Sequence, residues 1–136
     1  MLPGVSDLRA RREAVVREHM ESENRHDFDA TLATFAHPRY ELMATGQVFD
    51  GPEAVMGYFR SSRRAFPDQR NELVSLRHVD DGVVVELDLL GTAEQTGQAF
   101  RSRMCALFLF EPDGDGIVCE RVYFDQASIL RQAGLG

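Results

Sequence analysis

The hydrophobic periodicity of the chain changes once, at Phe66-Pro67-Asp68, and that change limits the possible fold more than any other feature. Before it, apolar residues recur at helical spacing; after it, they alternate as in half-buried strands. Ser6 and Asp7 are N-cap types ahead of a helix predicted from Leu8 to about Asn24. Leu8, Val15, Val16 and Met20 fall on one stripe of that helix, and His19 lies within it. Asp27 can cap a second helix carrying Phe28, Leu32 and Phe35, stopped by His37-Pro38 because a residue before proline avoids the helical region. A short strand is expected from Tyr40 to Thr45, then Gly46 and an extended piece ending at Asp50. Gly51-Pro52-Glu53 begins a third helix that packs Val55, Met56 and Phe59.

Beyond the switch, Asn71–Val79 and Val83–Leu90 flank Asp80-Asp81-Gly82 as a hairpin. Phe100–Phe110 and Ile117–Phe124 flank a second turn, Pro112 to Gly116, and Asp125 can cap a last short helix through Ala133 that Gly134 closes. Helices followed by an antiparallel meander read as an α+β fold: a curved sheet whose hollow side three helices cover, leaving a pocket between. Its 136 residues suit one domain, 1–136.

The register of the second hairpin follows from its turn. With Glu111 opposite Ile117, Ala106 faces Val122, Phe108 faces Glu120, and Cys105 faces Tyr123. Phe100, Ser102, Met104, Ala106, Phe108 and Phe110 then form a pocket face; Arg101, Arg103, Cys105, Leu107, Leu109 and Glu111 form an outer or dimer face. Cys105 and Cys119 are too far apart to bridge and have no metal or redox spacing, so a reducing cytoplasm is the expected location.

Charge narrows the partners. The net charge of −7 repels a polyanion, so no nucleic-acid partner is expected. Every basic residue is arginine, and the one tight cluster, Arg9, Arg11 and Arg12, reads as a solvated helix face. Met1–Arg12 has no signal-peptide core, and the longest apolar run, Met104–Phe110, is too short to span a bilayer, so no membrane partner is expected. No two of the four histidines have metal-site spacing, and no phosphate-binding glycine loop occurs; neither metal nor cofactor is expected.

Read together, several stretches resemble the SnoaL-like branch of the nuclear transport factor 2-like superfamily, which also holds ketosteroid isomerases. They are Asn24–Asp29, Phe35-Ala36-His37-Pro38, Gly51-Pro52-Glu53-Ala54-Val55, Phe66-Pro67-Asp68, Gly91-Thr92, Tyr123-Phe124-Asp125 and Leu130-Arg131-Gln132-Ala133-Gly134-Leu135. The resemblance implies a cone-shaped α+β barrel with a deep apolar pocket, often a homodimer, in a group holding polyketide cyclases, isomerases, epoxide hydrolases and cofactor-independent hydroxylases. It also implies where familiar proton-transfer groups fall. The cyclase aspartate falls on Val122, and its histidine partner, like the isomerase oxyanion acid, falls on Ala106. The isomerase base falls near Met43 and its helix-1 tyrosine on His19. Three of the four positions are apolar here, so the cyclase and isomerase mechanisms do not transfer directly.

His19 and Glu120 remain as the pair for proton transfer, one from the first helix and one from the last strand, expected on opposite walls of one cavity. Burial alone would lower the histidine and raise the glutamate; contact between them would oppose both shifts and make a structural ion pair. His37 at the rim, with Met43, Phe59, Met104, Ala106, Phe108 and Val122, is expected to meet the substrate. Asp125 reads as a helix cap, and Glu86 with Asp88 as an outward pair. The expected function is cofactor-independent acid/base catalysis, of cyclase, isomerase or hydroxylase type, on a small apolar, polyketide-like molecule. The alternative is a non-catalytic binding protein of the same fold.

Overall fold

The computed structural model describes residues 5–136. In chain order it contains α1 (Val5–Asn24), α2 (Phe28–Ala33), β1 (Arg39–Leu42), β2 (Gln47–Asp50), α3 (Pro52–Ala65), β3 (Arg70–Val79), β4 (Gly82–Thr92), β5 (Ala99–Phe110), β6 (Ile117–Tyr123) and α4 (Gln126–Gln132). One six-stranded sheet runs β2-β1-β6-β5-β4-β3. The fold is the α+β arrangement expected, with one difference: β1 lies parallel to β6, while every other pairing is antiparallel. No helix among the described residues is long and apolar enough to cross a membrane.

Several local details depart from expectation. Ser6 and Asp7 lie inside α1, so the residue capping it is outside the described residues. Asp7 pairs instead with Arg11 one turn on. α2 ends at Ala33, before His37-Pro38, because the Thr34 hydroxyl turns back to donate to the Thr31 carbonyl at 2.6 Å. Asp27 caps that helix by accepting from the Ala30 amide, and Asp125 caps α4 by accepting from the Ser128 amide at 3.0 Å. Gly51 caps α3 at φ +92°, a conformation that disfavours a side chain.

Arg12 corrects the reading of the basic cluster. Arg9 and Arg11 face solvent, but Arg12 is only 5% exposed. Its guanidinium donates to the carbonyls of Gly114 at 2.8 Å, Glu111 at 3.0 Å and Asp80 at 3.3 Å, and lies over the Phe110 ring. A single buried cation thus joins α1 to both hairpin turns.

The core lies between the concave face of the sheet and the helices. Val16 and Met20 of α1 pack on Val83, Val85, Ala106, Phe108 and Ile117. Val55 and Phe59 of α3 pack with Tyr40, Leu42 and Val122. The β5–β6 register is as read from the turn, Ala106 to Val122 and Phe108 to Glu120, until a bulge past Leu109 puts Ile117 opposite Phe110 instead of Glu111. On the convex face Glu86 meets Arg77, and Asp88 meets Arg101 and Arg103. Cys105 and Cys119 are free thiols.

Candidate functional site

Three elements converge at one end of the core. α1 contributes His19 and, one turn later, Glu23; β1 contributes Tyr40; β6 contributes Glu120. The parallel β1–β6 pairing makes Tyr40 and Glu120 direct neighbours, and the β5–β6 pairing sets Phe108 on the other side of Glu120. Sequence-distant groups therefore share one small volume.

His19 is fully buried, with its ring edge-on to Phe35 and Phe108 at 5.3 and 5.1 Å. Thr34 has committed its hydroxyl hydrogen to the Thr31 carbonyl, so it accepts from His19 Nδ1–H at 2.9 Å. That bond leaves Nε2 as the nitrogen facing the site. Nε2 lies 2.8 Å from Glu23 Oε1, 2.8 Å from Glu120 Oε1 and 2.9 Å from Tyr40 Oη. One nitrogen proton cannot align with three oxygens. The contact with Tyr40 is directed as a hydrogen bond, and buried Glu120 Oε1 has no aligned donor among the described residues. Arg63 reaches the other Glu23 oxygen at 3.5 Å.

The carboxylates titrate apart. Burial pulls the His19 imidazole down, but Glu23 and Glu120 outweigh it and lift the pKa to about 10. Burial pushes Glu23 up, but the His19 and Arg63 cations prevail and hold it below its ordinary value. Glu120 is pushed up by burial and by the Glu23 charge, more than His19 and Tyr40 pull it down. Glu23 is therefore the standing counter-ion of the imidazolium, and Glu120 is the carboxylate poised to gain or lose a proton.

His19 and Glu120 are thus in contact rather than on opposite walls, and for the histidine the attraction wins over burial. Together with Glu23 they bring donor atoms within 4.8 Å of one another, a nitrogen–oxygen set of the kind that can hold a cation; the imidazolium already supplies positive charge there. Searching for paired histidines could not reveal this mixed set.

A chamber of about 50 Å³ opens against Glu120, with Glu23, Tyr40, Tyr58, Gln69 and Phe108 among its walls. A second, mainly apolar chamber of about 190 Å³ lies under α4, walled by Leu42, Phe66, Phe100, Phe124, Ile129 and Leu130. Tyr58, Gln69, Leu89, Met104 and Val122 line both, so the two adjoin.

The other expected contacts divide. Met104, Phe108 and Val122 line the chambers. Ala106 is buried in the core beside them, and Phe59 is stacked on Phe28; neither borders a chamber. Met43 is 48% exposed, because β1 ends at Leu42 and that residue, not its neighbour, turns inward. His37 is exposed and held outside by Asp50 at 2.9 Å, away from both chambers. Glu23, Tyr40, Tyr58 and Gln69 went unrecognised in the sequence. For Glu23 a signal existed: four residues after His19, it shares that helix face.

The profile of the SnoaL-like domain family matches residues 16–120. The chain belongs to that family. No curated protein matches it. Among solved structures, a proposed SnoaL-like polyketide cyclase from Jannaschia sp. CCS1 superposes with a TM-score of 0.83 at 15% identity, covering 100% of this chain and 97% of that one. A hypothetical protein of ketosteroid isomerase-like fold from Catenulispora acidiphila, in complex with trimethylamine, gives 0.82 at 20% identity over 90% and 93%. AclR, a proposed hydroxylase from Streptomyces galilaeus, gives 0.77 at 17% identity over 93% and 87%. These likenesses establish the SnoaL-like, nuclear transport factor 2-like fold, a scaffold shared by different chemistries.

Proposed function

We propose that this SnoaL-like protein is a cofactor-independent acid/base enzyme that removes a proton from a small apolar, polyketide-like substrate, with Glu120 as the group that meets it. One observation carries this reading: a nearly buried carboxylate, 7% exposed, borders the inner chamber and is backed by the His19 imidazolium at 2.8 Å. The positions that the resemblance marks for cyclase chemistry, Val122 and Ala106, are buried and apolar. Glu120 stands two residues before Val122 on the same strand face, so a carboxylate is still offered, displaced by about 7 Å along β6. His19 lines neither chamber; it acts on Glu120 from behind, as a positioning residue.

Proton removal is tested by deuterium wash-in. In D₂O, acetophenone and cyclohexanone are expected to exchange the hydrogens next to their carbonyl faster with the folded protein than with heat-denatured protein, followed by proton NMR. Binding of such molecules without exchange would favour the non-catalytic reading. The substrate partner is a small molecule, with no role for nucleic acid or membrane, and the setting is the cytoplasm. A homodimer is also part of the proposal, formed through the outer face of β5, where half-buried Cys105, Leu107 and Leu109 lie near Tyr123, 46% exposed. Sedimentation velocity is expected to give twice the monomer mass; a monomer would remove this part.

A further inference from the structure

Resting on the proton-transfer reading of Glu120, we infer that Thr34 is a positioning residue: it fixes which nitrogen of His19 faces Glu120 and which nitrogen always keeps its hydrogen. Thr34 caps the C-terminus of α2, 15 residues from His19 in sequence, and borders neither chamber. An imidazole turned half-way round has nearly the same shape, so packing alone does not choose its orientation. The rings of Phe35 and Phe108, edge-on to it, offer no polar preference. Polar partners therefore decide. Turned over, the ring would set carbons against Thr34 Oγ1 and against the two carboxylates.

Counting hydrogens gives the direction of each bond. Ser22 Oγ lies 2.8 Å from the His19 carbonyl, which can only accept, so Ser22 donates there. With that hydrogen used, the 2.7 Å contact between Ser22 Oγ and Thr31 Oγ1 is completed by the Thr31 hydrogen. Thr34 Oγ1 donates to the Thr31 carbonyl at 2.6 Å and shows His19 Nδ1 only lone pairs, at 2.9 Å. A helical threonine bonding back to its own helix is ordinary. Here, however, the hydroxyls hold one residue at both its carbonyl and its ring, and Ser22 and Thr31 are fully buried.

Among the described residues, Thr34 is the hydrogen-bond partner of Nδ1. The titratable groups in contact with the ring face Nε2: Glu23 from α1, Tyr40 from β1 and Glu120 from β6. Behind them, α3 adds Arg63, in contact with Glu23, and Tyr58, against Tyr40. β5 and the segment after α2 present Phe108 and Phe35. Nδ1 therefore stays protonated whether the ring is charged or neutral, and the hydrogen that His19 can surrender is the one toward the carboxylates. Held this way, the imidazolium reaches Glu120 through Nε2 at 2.8 Å. Without Thr34 Oγ1, a buried N–H loses its acceptor and the ring loses its anchor on that side.

The test follows His19 by nitrogen-15 NMR in protein labelled at histidine. In the wild type, raising the pH should move Nε2 alone to the deprotonated shift, while Nδ1 keeps its hydrogen. Thr34→Val preserves the shape and removes the acceptor. Its His19 should hold the proton about tenfold more weakly, the scale of one hydrogen bond to a charged group, and deprotonate at both nitrogens. Thr34→Ser retains the hydroxyl and should return both properties to the wild type. In deuterium exchange, the acidic limb should move to higher pH in Thr34→Val, because the imidazolium that lowers the Glu120 pKa is no longer held against it, and stay in place in Thr34→Ser. Urea titrations separate these effects from lost stability. A wild-type ring that deprotonates at Nδ1, or at both nitrogens, overturns the inference without any variant. So does a Thr34→Val protein that is merely less stable, with the NMR titration and the limb unchanged. If the wild type behaves as stated while Glu120→Gln retains full exchange, the hold of Thr34 on the ring stands and the proton-transfer reading falls. If Glu120→Gln abolishes exchange and the limb of Thr34→Val does not move, that reading stands and the positioning role falls.

Discussion

Replacing His19 with glutamine is expected to lower the free energy of unfolding by about 3–5 kcal/mol near pH 8, the cost of removing one partner from a buried ion pair. The imidazolium is fully buried and within 2.8 Å of both Glu23 and Glu120. Without it, two carboxylates share a cavity edge with only the more distant Arg63 as a cation. One of them must then take up a proton. At about pH 5 the His19 contribution is complete, whereas at pH 8 part of it is already lost, so the same substitution should cost clearly more at the lower pH. Adding Glu120→Gln to His19→Gln should restore part of the loss, because the stranded charge is gone; the two substitutions are not additive. Urea titrations at both pH values measure this. Equal destabilisation at the two values, together with strict additivity, would show that the cluster is not held by charge.

The wild-type protein should show the same linkage. Folded His19 keeps its proton to about 10, where the unfolded side chain releases it near 6.5. Its contribution is therefore complete below 6.5 and is lost as the pH rises toward 10. Glu23 runs the other way: held below 4.5, it stabilises above that value and loses this as the pH falls. Glu120, raised above 4.5, costs stability as it ionises. The alkaline loss belongs to His19, and it should vanish in His19→Gln.

Local pattern was enough to place each half of this cluster but not to join them. The stripe of α1 put His19 on the core side, and the Pro112–Gly116 turn set the β5–β6 register that aims Glu120 inward. Both readings depend on neighbours in sequence, where periodicity carries the information. The Tyr40–Glu120 adjacency depends on a parallel pairing between strands about 80 residues apart, which no turn specifies. Met43 failed for a local reason: Tyr40 and Leu42 are the inward positions of β1, so alternation turns the next residue outward. Arg12 looked like surface because its three partners are carbonyls of turns distant in sequence, invisible to a search for opposite charge. Tyr58 and Gln69 matter only once the chambers exist, so their role rests on packing and not on spacing.

Glu120→Gln is expected to reduce turnover by about 10²-fold or more, since the amide keeps the shape of the side chain and cannot accept the proton. The neighbours should alter the pH profile in opposite directions. A base works when ionised, so activity rises with pH through the Glu120 pKa. Glu23 is one cause that raises that pKa, and Glu23→Gln should move the acidic limb to lower pH and leave a weaker base with lower turnover. His19 lowers it, so His19→Gln should move the limb to higher pH. A merely structural role for either residue would reduce active protein without moving the limb. Opposite displacements, measured on the same substrate across the acidic range, would place both residues in the electrostatic control of Glu120. Unchanged turnover in Glu120→Gln would instead leave a SnoaL-like binding protein, whose buried imidazolium and two carboxylates serve the fold alone.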